Sequence, residues 1–137
     1  MPHEKFRAEV LTPEGKVFDD EVELVSTRTA VGSIGVLAHH EPVLAMLDPA
    51  ELRLYTSENE IVRFAQAEGY MQFAENRALL LVEEAHPPED LDVGQLRDRL
   101  QEAERRLEEA GEDTEKRRAA QRDQARWARF LQIAGGG

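Results

Sequence analysis

The sequence has no cysteine, few aromatic residues and no long hydrophobic run. Without cysteine, neither a disulfide scaffold nor a thiolate metal site can form. No run of consecutive apolar residues is longer than five, as in Ala78–Val82, which is the length of a strand and falls far short of the roughly 20 residues of a membrane-spanning helix. The segment from Met1 to Lys5 lacks the basic and apolar regions of a signal peptide. We therefore expect any association with a membrane to be peripheral.

Basic residues are also scarce, because 17 lysines and arginines stand against 28 acidic residues, a formal net charge of −11 at pH 7. Binding to nucleic acid depends on a basic surface that neutralises phosphates, so this charge argues against a nucleic-acid partner. The charge is unevenly distributed. Residues 1–89 carry a net charge of −10 and residues 90–113 carry −5, whereas residues 114–137 carry +4. The last segment is a basic element on an acidic chain.

No catalytic site is recognisable in the sequence. It contains neither a nucleophile with a matching base in a known motif nor a phosphate loop of the Gly-x-x-x-x-Gly-Lys type. Glu83 and Glu84 are adjacent and cannot face one substrate from a strand, and aromatic side chains for a sugar platform are few. His39 and His40, on a segment expected to be extended, would point to opposite faces, so we predict no metal site. We expect a chain that is not an enzyme and has no catalytic residue, metal or cofactor.

Residues 1–86 have the pattern of a domain built from short strands. Phe6–Val10 alternates apolar and polar residues, which predicts a half-buried strand, and Thr12–Gly15 predicts a turn. Further along, two pairs of apolar stretches flank short polar loops and predict two hairpins. Short strands that recur about every 8 to 12 residues predict a β-sandwich or flattened β-barrel. The hairpin strands are Leu52–Tyr55 with Ile61–Phe64, and Gly69–Phe73 with Ala78–Val82.

The pattern changes at His86–Glu89, where two prolines prevent a strand from continuing and predict a domain boundary. Asp92 and Gln95 then have the spacing of a capping box, which predicts a helix start. Apolar residues follow at alternating spacings of three and four, the pattern of a narrow seam that faces one partner helix. Gly111–Thr114 can end this helix and cap a second one, so residues 87–137 are predicted to form an antiparallel helical hairpin. The seam residues are Val93, Leu96, Leu100, Ala103, Leu107 and Ala110 in the first helix, and Ala120, Trp127, Phe130, Leu131 and Ala134 in the second.

The most distinctive stretch of the chain is residues 32–44. Gly32 and Gly35 flank one polar and one apolar residue, which we interpret as a tight turn that requires glycine. Pro42 is expected to hold the two residues before it extended. The pattern Gly-x-Ile-Gly-Val, followed by His-x-Pro and two aliphatic residues, resembles the signature of the epsilon subunit of F-type ATP synthases. Other stretches carry the same resemblance, in the same order, along nearly the full length of the chain. They are Leu11–Gly15, Glu68–Gly69, Asn76 and Asp90–Asp92.

This resemblance implies a non-catalytic rotor subunit of bacterial type, equivalent to the mitochondrial delta subunit. In this family the subunit belongs to the central stalk and couples proton-driven rotation of the c-ring to ATP synthesis. Residues 1–86 would bind the gamma subunit and the c-ring, and the chain would lie at the cytoplasmic face of the bacterial plasma membrane. By position, the resemblance assigns the contact with the c-ring and the gamma subunit to seven residues. They are Gly32, Ser33, Ile34, Gly35, His39, His40 and Glu41.

The resemblance also implies a regulatory role for residues 87–137. The two helices would separate, and the second would extend along the gamma subunit and inhibit ATP hydrolysis by contacting the beta and alpha subunits. The arginines assigned to the beta-subunit contact are Arg118, Arg122, Arg126 and Arg129. In the alternative interpretation, these basic side chains of the second helix form only exposed ion pairs with the acidic first helix. The acidic residues available for such pairs are Glu102, Glu104, Glu108 and Glu109.

Two further alternatives remain at the level of the sequence. Some bacterial relatives bind ATP at the start of the hairpin through an Ile/Leu-Asp-x-x-Arg-Ala motif, and Leu91 and Asp92 match its first two positions. The arginine position holds Gln95, which cannot offer a bidentate fork to a phosphate, so we expect ATP binding to be weak or absent. The alternative function is a free-standing acidic sandwich whose hairpin holds client proteins, a chaperone-like binding module.

Overall fold

The computed structural model describes residues 3–135, and the chain divides into two compact units after Pro87. The described part of the first unit, residues 3–87, contains ten β-strands, and stretches that alternate apolar and polar residues bury every second side chain. The strand bounds are β1 Phe6–Thr12, β2 Gly15–Val22, β3 Leu24–Thr29, β4 Gly32–Leu37, β5 Val43–Leu47, β6 Ala50–Tyr55, β7 Ile61–Gln66, β8 Gly69–Ala74, β9 Arg77–Val82 and β10 Ala85–His86.

The strands form one continuous sheet that folds over on itself as a nearly closed sandwich. Its order is β10-β7-β6-β3-β5-β8-β9-β1-β2, with β4 paired to β3. All pairs are antiparallel except the parallel pair of β1 with β9. Because β4 occupies one edge of β3 along its whole length, β5 and β6 must share the other edge. The chain bends between these two strands, at Asp48–Pro49, and passes there from one layer to the other. The predicted β-sandwich is confirmed.

The core of the sandwich lies between the two layers. In β1, the side chains of Phe6, Ala8 and Val10 point inward and are almost completely buried. Phe6 packs its ring edge-on against Phe73 of β8, with 5.5 Å between the ring centroids. Apart from Gln66, the other large, fully buried side chains of the sandwich are aliphatic or methionine, as expected for two sheets that pack face to face. The largest of them are Leu52, Leu54, Met71, Leu80, Val22, Val25 and Val36.

The turn predicted between Gly32 and Gly35 is wrong. These residues belong to β4, and the chain instead reverses direction at Ala30–Val31, before the strand, and turns again at Ala38–His39, after it. Gly32 does adopt the left-handed region, with φ +137°. Gly35 does not, and a Cβ at this position would lie 3.6 Å from Leu24 Cδ1, an ordinary van der Waals contact. Only Gly32 therefore needs glycine for its backbone conformation.

The second unit contains a short 3₁₀ turn, Pro88–Asp90, followed by helices α1, Val93–Glu109, and α2, Thr114–Ile133. Each helix begins with a capping carboxylate. Asp92 accepts a hydrogen bond from the backbone N–H of Gln95 at 3.1 Å, and Asp113 accepts one from Lys116 at the same distance. Gly111, with φ +56°, lies just after α1. Such a left-handed glycine is the usual end of a helix, as the sequence predicted.

The two helices pack against each other along the predicted seam. Leu96 and Ala103 of α1 are buried, as are Ala120, Phe130 and Leu131 of α2. Contacts between residues 99 and 127 and between residues 106 and 123 fix an antiparallel arrangement. The predicted helical hairpin is confirmed. None of the helices in residues 3–135 is long and apolar enough to cross a membrane.

Candidate interaction surfaces

An exposed row of large apolar side chains crosses the outer face of the sandwich. Met46 of β5 pairs with Tyr70 of β8, which in turn pairs with Leu81 of β9. Leu44 lies two residues before Met46 and shares its face, since side chains alternate along a strand. Their exposed fractions are 73% for Leu44, 62% for Met46, 52% for Tyr70 and 47% for Leu81. We call these four residues the apolar ladder. Contiguous apolar surface of this kind is typical of a surface that binds another protein.

The apolar ladder continues into a groove beside the β3–β4 turn. Val31, at the tip of that turn, is 97% exposed. The groove has a volume of about 460 Å³ and lies between the turn and β5. A hydrogen bond from the backbone N–H of Ala30 to the carbonyl oxygen of Met46, 3.0 Å long, fixes the turn against β5. Besides Val31, the groove is lined by Thr29, Ala30, Gly32, Ser33, Ile34, Val43, Leu44, Ala45 and Met46.

The seven residues assigned to the contact with the c-ring and the gamma subunit do not form a single cluster. Gly32, Ser33 and Ile34 line the groove at the start of β4. His39, His40 and Glu41 follow the end of the same strand. A six-residue strand spans roughly 20 Å, so the two groups lie at opposite ends of β4. Gly35 lies between them, in the strand, opposite Ser26 of β3.

The turn after β4 is held by contacts to the β8–β9 hairpin and to the start of the chain. His39 has φ +65° and donates its backbone N–H to Asn76 Oδ1 at 2.7 Å. Its ring Nε2 lies 2.9 Å from a carboxylate oxygen of Glu4. His40 packs edge-on against Phe73, and its Nδ1 lies 2.7 Å from the backbone oxygen of Glu41. Because His39 is left-handed, the expectation that His39 and His40 share an extended segment was wrong, whereas the extended conformation expected for His40 and Glu41 stays a prediction.

The four arginines assigned to the beta-subunit contact differ in their surroundings. Arg118 and Arg122 are exposed, whereas Arg126 and Arg129 are half-buried. Arg122 lies 3.2 Å from Asp123, through Nε and Oδ1. The guanidinium carbon of Arg126 lies 5.2 Å from the ring centroid of Trp127.

Ion pairing in the hairpin differs from the alternative interpretation at two of its four acidic residues. Glu102 and Glu109, expected to pair with α2, instead bind Arg105 of their own helix. Across the seam, Arg106 of α1 lies 2.6 Å from Asp123 of α2, through Nη2 and Oδ2. The charges are the reverse of those in the alternative interpretation, because here the basic residue lies on α1 and the acidic residue on α2. The residues that face each other depend on how each helix is rotated about its axis, which net charge does not specify.

The electrostatics of Asp123 follow from these contacts. Burial raises the pKa of its carboxyl, but hydrogen bonds from Arg106 and Arg122 oppose that effect and outweigh it. The pKa of Asp123 therefore lies below its ordinary value. Asp123 is charged at neutral pH and fixes Arg106 across the seam.

The structure also gives the surroundings of the carboxylate that the sequence matches to an ATP motif, and tests for metal-ligand clusters. Asp92, the residue matched to the ATP motif, caps α1 with its carboxylate. Within residues 3–135 there is no group of three or more histidine, cysteine or acidic side chains placed to hold a metal ion.

The apolar ladder was not predicted from the sequence. One signal for it was available, because Val43–Leu47 and Ala78–Val82 are apolar at every position instead of alternating. A strand of this kind presents apolar side chains on both faces, so one face must remain outside the core. The sequence alone did not specify which strands would lie side by side and bring those outward side chains together.

A nearly closed β-sandwich followed by a two-helix hairpin defines a small two-unit protein, and its apolar ladder is typical of a protein-binding surface. The family model for the ATP synthase delta/epsilon chain β-sandwich domain matches residues 5–88. The chain belongs to this family, and its function is that of an ATP synthase subunit.

Relatives extend the similarity into the hairpin. The ATP synthase epsilon chain of Rubrobacter xylanophilus is 36% identical over 113 residues, which cover 80% of this chain and 77% of the relative. That of Persephonella marina is 39% identical over 101 residues, 74% of each chain. That of Halalkalibacterium halodurans is 31% identical over 126 residues, 92% of this chain and 94% of the relative. These comparisons do not favour the chaperone-like alternative.

Two solved structures share the fold at low sequence identity. A chain of the Euglena gracilis mitochondrial ATP synthase, in an OSCP/F1/c-ring complex, superposes with a TM-score of 0.70 at 20% identity, covering 96% of this chain and 78% of that one. A chain of the Tetrahymena thermophila mitochondrial ATP synthase, from its central stalk and c-ring, gives a TM-score of 0.62 at 14% identity, covering 96% and 98%.

Proposed function

We propose that this chain is the central-stalk subunit of an F-type ATP synthase that connects the gamma subunit to the c-ring and couples rotation to ATP synthesis. The apolar ladder is the observation that carries the proposal. Large side chains such as Met46 and Tyr70 are unfavourable in water and favourable in the centre of an interface, where aromatic residues and methionine are enriched. The apolar ladder is assigned here to the gamma subunit. The absence of a recognisable catalytic motif fits an accessory, non-catalytic role.

The contact with the c-ring is assigned to both ends of β4. At one end, Val31 and the groove beside Gly32 to Ile34 offer an apolar surface. At the other end, His39, His40 and Glu41 offer polar groups. A surface of this composition binds through shape, apolar burial and hydrogen bonds, with Glu41 as its acidic group. The chain reaches the membrane only through the complex, at the cytoplasmic face of a bacterial plasma membrane.

Regulation is assigned to the hairpin. In the proposed extended state, α2 separates from α1 and its arginines contact the beta and alpha subunits, which inhibits ATP hydrolysis. The seam supports this proposal because much of it is alanine: Ala103, Ala110 and Ala120 are buried there. Alanine buries little apolar area, so a free-energy difference of only a few kcal/mol separates closed from open helices.

No role is assigned to bound ATP. The carboxylate of Asp92 already accepts a hydrogen bond at the start of α1, and Gln95 stands where a phosphate-binding arginine would be required. Isothermal titration with MgATP should give weak or undetectable binding. A dissociation constant at or below tens of micromolar would overturn this assignment.

The binding role of the apolar ladder is tested by charge insertion. In one variant, Met46→Lys and Tyr70→Lys are combined. In a control, Val17→Lys adds a charge at an exposed apolar position on β2, outside the apolar ladder. Each protein is co-expressed with the gamma subunit and analysed by size-exclusion chromatography and circular dichroism. Burial of an unpaired lysine in an interface is costly, so the ladder variant should stay folded and lose co-elution, while the control keeps it. Co-elution of a folded ladder variant at the parental level would reject the assignment.

A further inference from the structure

The seam of the hairpin differs between its two halves. Near the connection between the helices, the buried residues are the small Ala103, Ala110 and Ala120. At the opposite end of the hairpin, where α1 begins and α2 ends, they are Leu96, Phe130 and Leu131. We call this end, which has no connection between the helices, the free ends. Because a short connection ties the helices together at one end, separation must begin at the other. Contacts close to the free ends therefore control the first step of opening.

Trp127 lies in this second half and makes a cross-helix contact of a particular kind. The guanidinium carbon of Arg99, from α1, lies 4.9 Å from the centroid of the Trp127 ring. This distance is well within the range of a cation–π interaction, for which tryptophan is the best partner among the aromatic residues. Trp127 also contacts Phe130 of its own helix: the two rings are in a T-shaped arrangement, with 5.8 Å between their centroids. Trp127 thus joins the apolar seam to a cation on the opposite helix.

Arg126 also lies near the Trp127 ring, but it plays a different part. It precedes Trp127 in the same helix, and its guanidinium carbon is 5.2 Å from the ring centroid. Two neighbours in one helix stay together when the helices separate. The contact with Arg99 cannot survive separation, because its two partners belong to different helices.

We propose that Arg99 and Trp127 form a latch that holds the free ends of the hairpin together and sets the fraction of closed molecules. The existence of the latch does not depend on the proposed function. Only its consequence rests on that function: weakening the latch favours the extended state, which is proposed to inhibit ATP hydrolysis. The Arg106–Asp123 pair closes the hairpin nearer the connection. The latch therefore acts on the end that opens first, and the ion pair resists the spread of opening toward the connection.

The latch is tested by hydrogen exchange of the full-length chain, followed by mass spectrometry. Under conditions where reclosing is faster than exchange, the exchange rate of α2 amides is proportional to the opening constant. Arg99→Gln should accelerate exchange in Thr114–Ile133 about two- to fivefold, the factor expected for an exposed cation–π contact. Amides of the β-sandwich should exchange at the parental rate in the same sample, which provides an internal reference.

A double-mutant cycle separates the latch from general effects on the helices. Trp127→Leu keeps an apolar side chain but removes the ring, so Arg99→Gln should have no further effect in that background. Arg97→Gln makes the same charge change on an exposed position of α1, about 200° away around the helix, and should leave α2 exchange unchanged. Additive effects of Arg99→Gln and Trp127→Leu, or exchange at the parental rate in Arg99→Gln, would overturn the latch.

A separate measurement distinguishes failure of the latch from failure of the regulatory role. The Arg99→Gln chain is assembled into the complete ATP synthase, and its rate of ATP hydrolysis is measured. A lower rate than the parental complex is expected, since more molecules would occupy the extended state. If the cycle shows coupling while hydrolysis stays at the parental rate, the latch stands and the inhibitory role of the hairpin is overturned.

Discussion

The hydroxyl of Thr27 donates a hydrogen bond to the side-chain oxygen of Gln66, 2.8 Å away, inside the β-sandwich. The amide nitrogen of Gln66 donates in turn to the backbone oxygen of Asp48, at 2.9 Å. Gln66 is completely buried. These two hydrogen bonds connect β3 and β7 to the bend at Asp48–Pro49, where the chain passes from one layer of the sandwich to the other. β5 ends at this bend, which therefore helps to position Leu44 and Met46 of the apolar ladder.

Gln66→Leu should destabilise the sandwich by about 2–4 kcal/mol, because it removes the partner of the buried Thr27 hydroxyl and of the part-buried Asp48 carbonyl. Urea denaturation followed by circular dichroism measures the change. Thr27→Val in the same background should restore part of the loss, since it removes one of the two unsatisfied groups. A Gln66→Leu chain as stable as the parent would show that the network does not stabilise the bend.

Gly69 should tolerate no side chain, whereas Gly35 should accept alanine. A Cβ at Gly69 would meet the backbone of β9, 2.7 Å from Val82 Cα and closer still to the carbonyl oxygen of Leu81. Backbone cannot move aside as a flexible side chain can, so Gly69→Ala should cost about 3 kcal/mol or more. Gly35→Ala is the matched control, and its cost should stay below about 1 kcal/mol. Thermal unfolding of the two variants gives the comparison, and equal midpoints would contradict it.

The ion pair of Asp123 predicts a defined pH dependence of hairpin stability. Because the pKa of Asp123 is lower in the folded state, its contribution is complete above the unfolded pKa of about 3.9 and is lost as pH falls through the folded value. Asp123→Asn should therefore weaken the hairpin by about 0.5–1 kcal/mol at neutral pH, a value that allows for partial exposure. Hydrogen exchange of α2 at several pH values measures the difference. The difference in α2 exchange between Asp123→Asn and the parental chain should shrink only below about pH 4. A difference that instead grows in acid would contradict the assignment.

Removal of α2 should relieve inhibition of the complex. Truncation after Gly111 leaves the β-sandwich and α1, so assembly should be retained while ATP hydrolysis by the purified complex rises. Replacing Arg118, Arg122, Arg126 and Arg129 by alanine should have much the same effect, because the proposed contact with the beta subunits depends on their charge. If both variants hydrolyse ATP at the parental rate over a range of salt and ADP concentrations, the hairpin is a structural brace.

Local patterns were sufficient to predict most elements of this fold. The alternation in β1, the hairpins of β6 with β7 and β8 with β9, and the cap at Asp92 each depend on residues close in sequence. The glycine pair was misleading because glycine is common in turns. The actual turn uses Ala30 and Val31, neither of which is a typical turn residue.

The features that sequence reasoning missed depend on contacts between distant residues. The need for glycine at position 69 comes from the close approach of β9, which follows β8 and pairs with it. The apolar ladder requires the register of β5, β8 and β9 to be known. In the hairpin, the pairing of Arg106 with Asp123 and of Arg99 with Trp127 depends on helix rotation. Composition and periodicity specify which residues are apolar or charged, but not which of them meet.

As a central-stalk component, this chain should be a stoichiometric subunit of an ATP synthase. Purification of the enzyme from native membranes, followed by quantitative mass spectrometry of its subunits, measures this stoichiometry. One copy of this chain is expected for each gamma subunit, retained through the purification. Recovery of the chain only in fractions that lack the gamma subunit and the c-ring would contradict the assignment.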